Sequence, residues 1–166
     1  MLAGYTGPTM EPSTTSATAF APEGALMEYL HPDYGVQIYR MLRNHSGSDF
    51  VLGIAVDFET DSQVDVEVAA NDAPKNTVGG ITQNTVPAGH YFWGLVRGKG
   101  QVLLNNDVGI GTVLGVTGGA GMLDDTGLTN IGAVPPPSTV WLARALQVNT
   151  LGAAKIILAE VFVFGS

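Results

Sequence analysis

Three histidines, a short run of acids and several glycine-rich turns are the parts of this sequence that could do chemistry. His31, His45 and His90 have no second His or Cys at a metal-ligating spacing, and there is no HExxH segment. They read as turn and surface residues. Asp57, Glu59 and Asp61 alternate along one strand face and its exit turn, a pattern that offers oxygens to calcium. An EF-hand loop would need glycine sixth and glutamate twelfth. Ser62 and Val68 stand there, so the acids read as a solvated face. Asp124-Asp125 reads as turn chemistry. Gly109-x-Gly111 lacks the third glycine of a dinucleotide loop, since Leu114 holds that place. Around Gly98-Lys99, Trp93 and Gly100 replace the first glycine and the Ser/Thr of a phosphate loop. No serine sits in GxSxG. Asn44-His45-Ser46 matches a glycosylation sequon, a chance match when no secretion signal accompanies it. The expectation is a protein without catalytic residues, cofactor or metal.

Composition agrees with work by contact. The chain has 166 residues, enough for one domain with a real core. Charged residues make up 13% against about 25% in typical domains. Part of the surface is therefore expected to be covered by a partner or by further copies. Fifteen acids oppose seven bases, a net charge of -8, and the bases are scattered. Nucleic acid and anionic membranes need clustered Lys and Arg, so neither is an expected partner. The absence of cysteine excludes disulfides and thiolate metal sites. It also favours folding in a reducing cytoplasm. No signal peptide and no apolar run long enough to span a membrane are visible.

The elements that must position any site read as strands. From His90 to Leu123, short apolar runs alternate with glycine, each run too short for a helix. Segment 36–44 alternates loosely and 50–58 reads as a buried strand. In 64–68, Val64, Val66 and Val68 face one way, Asp65 and Glu67 the other. Residues 71–80 read as a loop before a short strand near Ile81. Val86 to Gly89 suits a type I turn. Strands 90–97 and 101–105 are expected to form a hairpin through Gly98-Lys99-Gly100. Strands near 112–116 and 121–123 follow, then a loop stiffened by Pro135-Pro136-Pro137. Segment 140–148 reads as a strand, with a short helix capped by Ser138 or Thr139 as the competitor. The last strand, 154–164, sets Ile157, Ala159, Val161 and Val163 against Ile156, Leu158, Glu160 and Phe162. About nine strands with turn signals every 8–12 residues predict a mainly-β fold, a single small β-barrel or sandwich over 35–166.

Residues 1–34 differ. They hold four prolines, a Ser/Thr-rich centre and no Lys or Arg. They read as an extended N-terminal arm, with a helical turn possible at 23–30. Tyr5, Phe20, Leu26, Tyr29 and Tyr34 are its candidate anchors on another surface. Trp93 and Trp141 are candidate interface residues of the body. Tyr91 and Trp93 share a strand face and could stack on a sugar, although core or subunit packing is the commoner fate.

The unit 91–123, YFWGLVRGKGQVLLNNDVGIGTVLGVTGGAGML, followed by WLARALQVNTLGAAKIILAEVFV, resembles bacteriophage head decoration (cement) proteins. The likeness covers residues 86–163 and lies mostly in turns. It implies a β-barrel body that trimerises on the outer face of a phage head and bridges neighbouring major capsid proteins. It implies a virion protein made in the bacterial host cytoplasm, and no catalytic residue. The N-terminal arm matches that family in layout only. The alternative reading is a non-enzymatic binding module, a sugar-binding β-sandwich or a tail or fibre component, using Tyr91, Trp93 or Trp141 as a platform.

Overall fold

The computed structural model describes residues 11–70, 77–116, 121–126, 142–150 and 154–163. These form eleven strands and no helix, so the mainly-β expectation holds. In chain order they are β1 (Thr15–Ser16), β2 (Leu26–His31), β3 (Gly35–Asn44), β4 (Ala55–Phe58), β5 (Asp65–Val68) and β6 (Val78–Thr82). Then come β7 (Tyr91–Leu104), β8 (Val113–Gly115), β9 (Asp124–Asp125), β10 (Ala143–Ala145) and β11 (Lys155–Phe162).

The sheet runs β2-β3-β5-β4-β6-β7-β11-β10-β8-β9, and β3 also pairs with β7. That last pairing closes β3, β5, β4, β6 and β7 into a hydrogen-bonded ring of five strands. Only β3–β5 is parallel within it. Closure pairs the edges of the ring strands, the standing hazard of small β proteins, and leaves β2 and β9 at the ends of the sheet. Leu42, Val56, Val66 and Phe92 from four ring strands meet in one cluster, joined by Phe50, Ile54 and Val86. The fifth ring strand leaves them room: a Cβ on Gly79 would sit 3.1 Å from Val66 and 3.4 Å from Leu42. A larger cluster holds Met41, Trp93, Leu95, Leu104, Leu142, Ile157 and Val161. The alternation read in β11 is seen: Ile157, Ala159 and Val161 are buried, while their neighbours are half-buried.

Several local expectations are corrected. Gly98-Lys99-Gly100 is not a hairpin loop; β7 runs unbroken for 14 residues. Gly98 lies at φ 112°, where its missing side chain lets the Val36 carbonyl approach. The glycine bends a strand that hands its pairing on to β11, from Arg97–Phe162 to Leu104–Lys155. Residues 26–31 are strand rather than helical turn. Met27 is buried beside Tyr39, while Glu28 and Leu30 face out, the period of a sheet. Strand β6 begins at Val78, inside the expected loop 71–80. Segment 140–148 supplies a strand, β10, among its described residues rather than a helix. The turn after Val86 closes one residue later than expected, with the His90 N–H donating to the Pro87 carbonyl at 3.1 Å.

The boundary expected at 34/35 does not separate an arm from a body among the described residues. Thr15 and Ser16 pair with Phe92 and Tyr91. β2 pairs along its whole length with β3, from Leu26–Arg40 to His31–Gly35. Proline and Ser/Thr content hid these contacts, because an edge strand with one solvated face needs few apolar residues.

Candidate functional site

The β2–β3 hairpin sorts its residues by the pleat. On one face Met27, Tyr29 and His31 lie opposite Tyr39, Gln37 and Gly35. On the other, Leu26, Glu28 and Leu30 lie opposite Arg40, Ile38 and Val36. The first face borders an open cleft of about 340 Å³, walled by Tyr29, His31 and Tyr34 and floored by Gln37, Gln83 and Gln101. His31 holds the hairpin tip: its Nδ1 accepts the backbone N–H groups of Asp33 and Tyr34 at 3.1 and 3.3 Å. Its ring stacks on Tyr34 with centroids 4.3 Å apart and planes 14° from parallel. Tyr29 meets His31 edge-on at 6.2 Å.

The floor is built from side-chain amides doing a strand's work. Along β7, alternate residues present N–H and C=O to the same edge. β3 pairs with β7 no further than Arg97, leaving Lys99 and Gln101 without a backbone partner there. The Gln37 amide donates to the Lys99 carbonyl at 2.6 Å and accepts the Tyr39 hydroxyl at 3.0 Å. The Gln83 amide bonds both the Gln101 carbonyl and the Gln101 N–H, at 3.0 and 2.9 Å. Gln37 is buried, and both amides are fixed by backbone. Burial, with Tyr29 nearby, pushes the Tyr39 hydroxyl well above the ordinary tyrosine range, so it stays protonated as a donor. Tyr29, whose hydroxyl donates to Glu11 at 3.3 Å, is raised as well, by desolvation and then by that carboxylate.

Of the residues expected at an interface, the structure brings Tyr29 and Tyr34 together in this cleft. Leu26 lies on the opposite face of the hairpin. Phe20 packs edge-on against Trp93, with centroids 5.8 Å apart and planes at 62°. Trp93 is fully buried. Its expected role at an interface, or as a sugar platform with Tyr91, is therefore corrected: it is core. Tyr91 is half-buried, with the Arg43 guanidinium 5.7 Å over its ring. Tyr5 and Trp141 lie outside the described residues. The cleft's glutamines are not legible as a site in the sequence because they come from β3, the bend after β6 and β7, far apart in the chain.

The acidic run does not converge on one point. Glu59 bonds His45 at 2.7 Å, and Asp61 stands in a turn at φ 67°. Asp57 is half-buried across from Glu67; desolvation first, and Glu67 least, raise its carboxyl to about 6. Among the described residues no three of His, Cys, Asp and Glu gather at metal-holding distance.

The hairpin's other face carries an exposed apolar pair. Leu30 and Val36 are direct cross-strand partners and are 73% and 54% exposed. Ile38 adjoins them, opposite Arg97 of β7. Such a pair gains nothing in the free chain and gains on being covered.

No family model matches the sequence, and no curated protein does. Among solved structures, the chain is similar to the N base of the head fiber protein gp8.5 of bacteriophage phi29, at 14% identity and a TM-score of 0.51. The match covers 73% of this chain and 92% of that one. At that identity the likeness is one of fold.

Proposed function

We propose that the protein is a structural component of a phage particle, a decoration or cement protein. In this reading it sits on the outer face of the head and bridges neighbouring copies of the major capsid protein. The observation that carries the reading is the fold match, which takes in nearly all of a domain that belongs to a phage head fiber. The resemblance of residues 86–163 to head decoration proteins points the same way, and the trimeric state we propose rests on that resemblance. Physical features support a contact role over a chemical one. Charge is sparse at 13% of residues, and the net charge of -8 suits a position away from the genome. Leu30 and Val36 form an uncovered apolar pair next to Ile38. A shell repeats each contact many times, so a modest affinity per copy suffices to reinforce it.

The reading is tested by co-sedimenting the full chain with heads that lack it. We expect saturable binding at a fixed ratio to the major capsid protein, with decorated heads more resistant to heat. Absence of binding to heads, alongside binding to tails or to purified fibres, would overturn it in favour of a tail or fibre component.

A further inference from the structure

We propose that the cleft at the tip of the β2–β3 hairpin binds a neutral saccharide. Three observations point to that ligand chemistry. First, the walls are flat and aromatic, with Tyr34 stacked on His31 and Tyr29 set edge-on beside them. Such rings offer an apolar face to C–H groups while keeping a polar tip in water. Second, the floor is a set of side-chain amides whose positions are already fixed. Gln37 is held by Lys99 and Tyr39, and Gln83 by the Thr82 carbonyl and by both backbone groups of Gln101. Both Gln83 amide hydrogens are taken by those carbonyls, which leaves its Oε1, fixed in place, to accept from a ligand hydroxyl without a further ordering cost. The Gln101 side chain itself is exposed at the cleft and free to turn toward a ligand. Third, no Lys or Arg lines the cleft, while Glu11 does. A phosphate, sulfate or uronate has no partner there, and a purely apolar ligand would take the exposed Gln101 amide and the Glu11 carboxylate out of water. A polyhydroxylated, uncharged ring matches both surfaces.

This site differs from the stacking platform that Trp93 would have made, because Trp93 is sealed in the core. It lies on the opposite face of the hairpin from Leu30 and Val36. One face can therefore lie against a partner while the cleft stays open, and saccharide binding is measurable without any phage particle.

The test uses the full chain with neutral trisaccharides built on glucose, N-acetylglucosamine, mannose and galactose, followed by saturation-transfer NMR. We expect at least one to receive saturation at its ring C–H protons. Tyr34→Ala and Gln101→Ala should each weaken it by about ten-fold, the usual effect of removing a central contact. Gln101 is exposed, so its variant should keep the wild-type melting temperature; Tyr34 is half-buried and stacked on His31, so Tyr34→Ala should lower it by a few degrees and leave the chain folded at the temperature of the binding assay. Leu30→Ala, on the far face, should leave binding unchanged. The proposal fails if no trisaccharide in the panel binds at millimolar concentration. It also fails if binding survives both cleft substitutions at wild-type strength, or if a uronate-containing trisaccharide binds more tightly than its neutral counterpart.

Discussion

Replacing Phe20 with alanine tests whether the N-terminal segment belongs to the folded body. In an arm that merely reaches for a partner, Phe20→Ala would leave the stability of the isolated chain unchanged. In the structure, Phe20 is half-buried and packs edge-on against the fully buried Trp93 at 5.8 Å. Truncating a fully buried phenylalanine costs about 3–5 kcal/mol. Half burial brings that to roughly 1.5–2.5 kcal/mol, and losing an aromatic pair adds about 0.5–1.5 kcal/mol. The expected loss is about 2–4 kcal/mol. At roughly 2–4 °C per kcal/mol for a chain of this size, the midpoint should fall by about 4–16 °C. Thermal and urea unfolding of the isolated chain measure it. A double-mutant cycle with Trp93→Phe should recover a coupling of about 0.5–1.5 kcal/mol. A midpoint within about 1 °C of wild type would refute the packing argument and restore the extended-arm reading for residues 11–34.

Gly53→Ala should be severe. Its φ of 86° disfavours a side chain, and the new Cβ would meet the Leu103 backbone nitrogen at 2.6 Å. Strain and overpacking together cost about 2–5 kcal/mol, read as lost soluble yield or a lower melting temperature. Asp57→Asn should stabilise the protein at neutral pH. The folded carboxyl titrates near 6 against 3.8 unperturbed, so the native state holds the proton more tightly and stability falls as pH rises from about 4 to 6. Over that window the loss is at most about 3 kcal/mol, and less because the group is half-exposed and solvent screens it. Urea midpoints from pH 4 to 8 should slope downward for wild type and flatten for the variant; equal slopes would contradict the assignment. Leu30→Glu with Val36→Glu should leave the fold intact, since both side chains are exposed, yet reduce binding to heads in co-sedimentation. Undiminished binding would move the attachment surface elsewhere.

Clean period-two patterns were readable from residue types alone. Val64, Val66 and the Ile157–Val161 set announce their faces because one side of each strand is buried and the other is not. Glycine was ambiguous. Gly98 looks like a turn residue, yet it serves close approach inside a strand. Local spacing does not say which of the two a glycine is for. β2 was hidden because Leu30 is exposed and Tyr29 half-buried, which blurs the alternation. Ring closure between β3 and β7 joins residues some fifty positions apart, and no local pattern encodes that pairing. In the cleft, Tyr29 and Tyr34 stand out in the sequence as large aromatics in a proline- and Ser/Thr-rich segment. Gln37, Gln83 and Gln101 do not, since a glutamine signals function only when its amide is seen fixed by distant backbone.

The most direct measurement is a cryo-EM reconstruction of the phage particle proposed to carry this protein. If it is a head decoration protein, mainly-β density will lie on the outer surface of the head, grouped in threes, each group touching at least two copies of the major capsid protein. Finding the chain only on the tail, or inside the shell against packaged DNA, would contradict that reading.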